Sequence, residues 1–273
     1  MTEEPPRPTT PLPLAGWTER EWRELRDARA LLEGESLVQR LTELVGGPIE
    51  KALDLLPEAA SQRVQSLTRQ ALGRALRIAL STLETGAKRD AAERRHKLAV
   101  AASGAVGGFF GLAGLAVELP VTTVVILRSI ADIARSEGHD LASPATRLAC
   151  LEVFALGGGR GDPAAETAYY AVRAALAKAL AEAGRHVAER GLASEGAPVV
   201  VRALAAIASR FGVVVEQKVA LAALPVVGAA TASIVNTFFV DLFQRRARGH
   251  FVVKRLETRH GFDAVRAAYE SLA

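Results

Sequence analysis

Residues 98–127 read LAVAASGAVGGFFGLAGLAVELPVTTVVIL, thirty residues in which Glu118 is the one charge. About twenty apolar residues at 1.5 Å rise cover a hydrocarbon core of roughly 30 Å, so residues 98–117 are long enough to span a bilayer as a helix. Within them Gly104 with Gly108 and Gly107 with Gly111 form two overlapping small-xxx-small pairs, which let another helix approach closely. In a soluble helix interior each of these glycines costs about 1 kcal/mol relative to alanine. A second stretch, residues 219–240, runs twenty-two residues without a charge, between Lys218 and Asp241.

Two readings fit these segments. Either both are membrane-seated, or both are central helices of an all-α domain, apolar all round because they are surrounded. Ala and Gly dominate the first segment, which weakens its insertion relative to a Leu-rich span. Basic residues flank both, with Lys97 and Arg128 around the first and Lys218 and Arg245-Arg246 around the second. Symmetric basic flanks favour hairpins that enter and return, or helices lying in the interface, over simple spans. Leu119-Pro120 and Leu224-Pro225 supply a turn or kink in each. Pro120 is expected in the first turn of a following helix. Glu118 would then accept from the free N–H groups near Thr122 and Thr123, or meet Arg128.

Outward from these segments the pattern is helical. The chain has 273 residues, 49% apolar but only 5% aromatic, so its apolar mass is Ala, Leu and Val rather than the mixture that fills strands. Residues 1–16 hold five prolines and read as a disordered or polyproline leader. Thr18 with Glu21 is a capping-box pattern that opens a helix through Trp22 and Leu25, ended by Gly34. From Glu58 to about Thr85, apolar residues recur at three- and four-residue spacings. Ser143-Pro144 and Asp162-Pro163 open two more helices, the second of them ending near Gly191, and a last one runs from about Asp263. Further helices are expected from Val199 onward. The runs 199–201 and 213–215 are the best strand candidates, and each sits inside a helical pattern.

The charge balance excludes several function classes. Thirty-four basic against thirty acidic residues are scattered rather than gathered into a stripe with stacking aromatics, so nucleic acid is not an expected partner. The basic run 88–97 abuts the first apolar segment, where anionic lipid would attract it. Cys150 is the single cysteine, which removes any intrachain disulfide or cysteine-metal site, and it reads as a small core residue rather than a nucleophile. The N-terminus lacks a basic start followed by an apolar run, so export is not expected. Glu182, His186 and Glu189 share a helix face, but such charges are common on Ala-rich surface helices, and neither a metal nor another cofactor is expected. Ser103 lacks a nucleophile elbow, and the glycines at 157–161 lack the Lys-Ser/Thr of a phosphate loop. Arg128 and Asp132 are an i, i+4 pair, in the bland reading structural. In the functional reading they form, with Glu118, a polar site at the end of the apolar segment.

The run Glu118-Leu119-Pro120-Val121-Thr122-Thr123, followed by Leu127-Arg128-Ser129-Ile130-Ala131-Asp132-Ile133-Ala134, resembles the signature of the EcsC protein family. So does Leu224-Pro225-Val226-Val227-Gly228-Ala229 with Asn236 and the ending Leu256-Glu257. The resemblance covers roughly residues 85–262. It implies an intracellular, membrane-associated helical protein of the bacterial type and no established chemistry. The expected organisation is a leader over 1–16, amphipathic helices over 17–84 and an EcsC-like helical domain over 85–273. The expected function is non-enzymatic contact with membrane lipid or a membrane protein, at the cytoplasmic side of the cell membrane, with self-association left open. The alternatives are a membrane-proximal hydrolase and a soluble helical interaction module, cytoplasmic if the apolar segments are buried.

Overall fold

The computed structural model of the chain describes residues 16–35, 37, 39–40, 56–82, 111–157, 169–190, 197–222 and 229–272. Among them are eight α-helices, one 3₁₀ helix and no strand. The helices are α1 (Glu19–Glu33), α2 (Glu58–Thr82), α3 (Gly111–Ser136), α4 (Pro144–Glu152), α5 (Tyr169–Arg190), α6 (Pro198–Ala222), α7 (Ala229–His260) and α8 (Phe262–Ser271). The 3₁₀ helix, Val153–Gly157, continues directly from α4. Both Val-rich runs are helical, inside α6.

Local signals set several boundaries. The Thr18 hydroxyl accepts from the Glu21 N–H while the Glu21 carboxylate accepts from the Thr18 N–H, so the capping box closes in both directions. Ser143 precedes Pro144 at the start of α4, yet its side chain makes no cap hydrogen bond. Between α7 and α8 the chain turns at Gly261, whose φ of 87° lies in the left-handed region that favours glycine.

Two cores share the structure. The larger gathers α2, α3, α4, the 3₁₀ helix, α5, α6 and the first part of α7. At its centre the rings of Phe154, Phe211, Phe239 and Phe243 meet with centroids 4.9–6.0 Å apart. The 3₁₀ helix reaches this knot because Gly157 has no side chain: a Cβ there would lie 2.8 Å from the Phe243 ring. The smaller core joins α1, the start of α5, the second part of α7 and α8 around Trp22, Tyr169, Leu256 and Tyr269. α1 lies on α7 at Gly249, where a Cβ would come 2.7 Å from the Ala28 carbonyl oxygen. The amphipathic N-terminal helices therefore pack into cores completed by helices from the rest of the chain.

The structure corrects two expectations. α3 runs through Pro120 instead of restarting at it. Pro120 has no N–H to give the carbonyl four residues back. One turn on, the buried Thr123 hydroxyl donates to the Leu119 carbonyl at 2.7 Å. The uncharged stretch 219–240 is also not one helix: residues 219–222 end α6, 229–240 open α7, and the Leu224-Pro225 turn lies outside the described residues. Among the described residues two helices are long and apolar enough to cross a membrane, over Gly114–Ser136 and Pro198–Ala220. The second was hidden in the sequence by its charges, three of which find partners in the fold. Arg202 reaches Glu182, Glu216 accepts from Ser61 and Gln65, and Lys218 meets Glu118.

Candidate functional site

Glu118 is the centre of the first candidate. It projects from α3 toward α6, where the Lys218 ammonium donates to its Oε1. The two side chains are only 10% and 8% exposed. Lys218 also lies 5.0 Å over the ring of Phe239 on α7, so one cation ties three helices together. Burial pushes the Lys218 ammonium below the usual lysine range, and Glu118 opposes that shift. Nearby in α6, Glu216 accepts from Ser61 at 2.6 Å and Gln65 at 3.0 Å, both on α2. Among the described residues the Thr122 hydroxyl and Asn236 Oδ1 are buried without a hydrogen-bond partner.

Apolar side chains are exposed near Glu118 in sequence and on α7. Val117 and Val121, four residues apart on α3, are 74% and 49% exposed, and Ile234 near the start of α7 is 40% exposed. Glu118 sits between the two valines in sequence but turns inward to Lys218. The pairing turns the carboxylate inward while the valines on either side of it in sequence stay at the surface.

Glu118, Arg128 and Asp132 are not brought together. Ten and fourteen residues along one helix place Arg128 and Asp132 about 15 and 21 Å from Glu118 in axial rise. Asp132 pairs with Arg135 at 3.0 Å, and Arg128 is exposed. Gly104, Gly107 and Gly108 lie outside the described residues, and Gly111 opens α3. Glu182 and His186 sit on α5 with Glu189, and among the described residues no group of three or more His, Cys, Asp or Glu side chains could hold a metal ion. Cys150 is fully buried, which pushes its thiol up to about 12.

A second polar cluster was not foreseen. The Tyr169 hydroxyl lies 2.9 Å from His250 Nδ1, and His250 Nε2 lies 3.6 Å from Glu152 Oε2, beyond hydrogen-bond length. Alongside, Arg173 makes a bidentate pair with Glu257 at 2.5 and 2.9 Å, and the Tyr170 hydroxyl donates to the same carboxylate at 3.1 Å. Burial is the leading cause of each shift here: it raises Glu152, raises Tyr169 well above the usual tyrosine value and drives His250 well below the usual histidine value. His250 is therefore neutral near pH 7. Tyr169 and His250 are 2% and 0% exposed, so no substrate reaches the imidazole, and no serine or cysteine hydrogen-bonds to it among the described residues. The string resembles a relay, and among the described residues it has no accessible nucleophile beside it. Its members come from positions 152, 169 and 250, and no local spacing marked them.

Comparison with known proteins bears on the whole chain. A family model described as the EcsC protein family matches residues 19–256, starting at the first residue of α1 and ending within α7. No curated protein and no solved structure matches the chain.

Proposed function

The chain belongs to the EcsC protein family, and from that premise we propose that it works at a membrane surface, through contacts with lipid or with a membrane protein rather than through catalysis. One observation carries the reading. α3 and α6 each contain a 23-residue stretch long and apolar enough to cross a bilayer, yet only 50% and 44% of their most apolar parts are buried within the protein. A helix enclosed by its own domain would be buried nearly all round. On α3 Val117 and Val121 are exposed, and on α7 Ile234 adds a further exposed apolar side chain.

Glu118 and Lys218 fit this reading. An isolated charge near hydrocarbon is costly, and a closed ion pair lowers that cost. Fully burying a valine or isoleucine side chain contributes about 1.5–3 kcal/mol, so three partly exposed ones supply a modest, reversible affinity. The basic run 88–97 adds attraction to anionic lipid, which supports a contact at the cytoplasmic face.

Fractionation of untagged protein expressed at low level, followed by a carbonate wash, tests the proposal. Wild type is expected with the membranes, and the double variant Val117→Asp/Val121→Asp in the supernatant at an unchanged melting temperature. Wild-type protein that remains in the ultracentrifugation supernatant, monodisperse without detergent, would overturn it in favour of a soluble interaction module.

A further inference from the structure

α2 buries Val64, Leu67, Ala71 and Leu72 and turns Arg63, Arg69, Arg74 and Arg77 outward. At 100° per residue Arg63, Arg74 and Arg77 fall within about 60° of one another, and Arg69 stands on the other flank of the exposed face. From Arg63 to Arg77 the row extends over about 21 Å of helix rise. The one acidic residue of α2 is Glu58 in its first turn, which accepts from Gln62 at 3.1 Å. Among the described residues no carboxylate lies within ion-pair distance of Arg63, Arg69 or Arg74. Arg20, Arg202 and Arg266, also exposed, each meet one. Basic residues that are scattered in the sequence are thus gathered by the fold into an unneutralised row.

The chemistry of this face narrows its partner. A guanidinium fork matches a phosphate group with parallel, charge-assisted hydrogen bonds. Between the arginines lie Gln62, Ser66, Gln70 and Gly73, with no aromatic ring on which a nucleobase could stack. α2 also has no large exposed apolar side chain, so its face can touch a headgroup layer without inserting into hydrocarbon. Its place in the bundle agrees. α2 packs against both α3 and α6, the two apolar helices. Ser61 and Gln65 hold Glu216 of α6, and two residues further on Lys218 holds Glu118 of α3. The amino-terminal half of α2 therefore stands at the level of Glu118, next in sequence to the exposed Val117. In the chain, α2 leads toward the basic run 88–97.

We propose that the outward face of α2 is a docking surface for a bilayer of anionic phospholipid, its arginines seated among the headgroup phosphates. The surface rests on the membrane reading and adds a lipid class to it: Val117, Val121 and Ile234 supply affinity for any bilayer, and the α2 arginines select an anionic one. Each arginine brought near an anionic surface multiplies binding about fivefold, so Arg63, Arg69 and Arg74 together contribute about a hundredfold. Added salt weakens that contribution.

Flotation of the full chain with vesicles tests the surface. Arg63→Gln/Arg69→Gln/Arg74→Gln is expected to lower partitioning onto phosphatidylcholine–phosphatidylglycerol vesicles about a hundredfold and to leave partitioning onto pure phosphatidylcholine unchanged. Its melting temperature is expected to match wild type, because the three side chains are exposed and unpaired among the described residues. A control, Arg23→Gln/Arg26→Gln/Arg190→Gln, removes the same charge from exposed positions on α1 and α5 and is expected to bind as wild type. If the α2 variant floats with the anionic vesicles as wild type does, or the control loses as much, the α2 surface is overturned and the membrane reading stands. Wild type that floats with neither vesicle overturns both. Binding of wild type to a structured RNA more tightly than to the anionic vesicles, lost in the α2 variant, would give the face to nucleic acid and overturn the lipid assignment.

Discussion

Removing one partner of the Glu118–Lys218 pair is the sharpest perturbation the fold offers. Both side chains are about nine-tenths buried, so water screens them little once the pair is broken. Stranding one charge of a buried pair costs about 3–5 kcal/mol. The two halves are not equivalent. In Glu118→Ala the stranded ammonium keeps the Phe239 face at 5.0 Å, a contact of about 1–2 kcal/mol when desolvated, which places this variant near the lower limit. In Lys218→Met, which preserves chain length, the carboxylate keeps no comparable partner, so the cost lies near the upper limit. For a chain of this size 1 kcal/mol corresponds to about 2–4 °C in Tm, so the expected losses are roughly 6–12 °C and 10–20 °C. The double variant Glu118→Leu/Lys218→Met is expected within about 1 kcal/mol of wild type, because it removes both charges and keeps the volume. Thermal melts of wild type, Glu118→Leu, Lys218→Met and the double variant close a double-mutant cycle. Additive losses, or single-variant shifts below about 2 °C, would refute the argument that the pair is buried and coupled.

Three further outcomes are expected. The backbone hydrogen bond from Thr18 is the leading cause that holds Glu21 down at about 2 against an ordinary 4.5. A carboxylate depressed in the folded state stabilises fully above its unfolded value and loses that contribution as pH falls toward 2. Both tryptophans, Trp17 and Trp22, belong to the α1 core, so their emission should report α1 detaching in acid, and Glu21→Gln should remove that contribution to the pH dependence; an unshifted acid midpoint in Glu21→Gln would contradict this. Gly249→Ala is expected to destabilise by about 1–3 kcal/mol in a denaturant melt, because its Cβ meets the Ala28 carbonyl, which belongs to the α1 backbone and cannot rotate away. Gly73→Ala, inside α2 with nothing within 4 Å of the new Cβ, is expected to stabilise by about 0.5–1 kcal/mol in the same assay.

Local chemistry made much of the fold readable. The Thr18–Glu21 box, Ser143-Pro144 and the periodicity from Glu58 each depend on neighbours within a few residues, and each marks a helix in the structure. Pro120 misled because its usual effect is judged from one residue, whereas α3 continues through it, held by a bundle the sequence does not display. The second apolar helix was misplaced because charge counts treat Glu216 and Lys218 as solvated, and their partners lie on α2 and α3. Glu118 carried a true signal, a lone carboxylate in an apolar run that needs a counterpart. Its counterpart stands 100 residues away at the border of the other uncharged stretch, and nothing local selects Lys218 over Arg128. The Tyr169, His250 and Glu152 string had no signal at all, since each residue taken alone is ordinary.

α7 gives the chain an unusual constraint on length. Its 32 residues contribute Phe239 and Phe243 to one core and Val253 and Leu256 to the other without interruption. Each inserted residue in a helix turns everything beyond it by about 100°. A single insertion or deletion between Phe243 and Val253 would therefore aim one set of side chains away from its core, whichever end stays seated. Seven inserted residues would nearly restore the heading, with a drift of about 20°, but would slide the α1 seat roughly 10 Å along the axis. Surface loops tolerate changes of length, whereas the middle of α7 is expected to have a fixed residue count, a ruler between the Glu118 end of the bundle and the helix that closes the other.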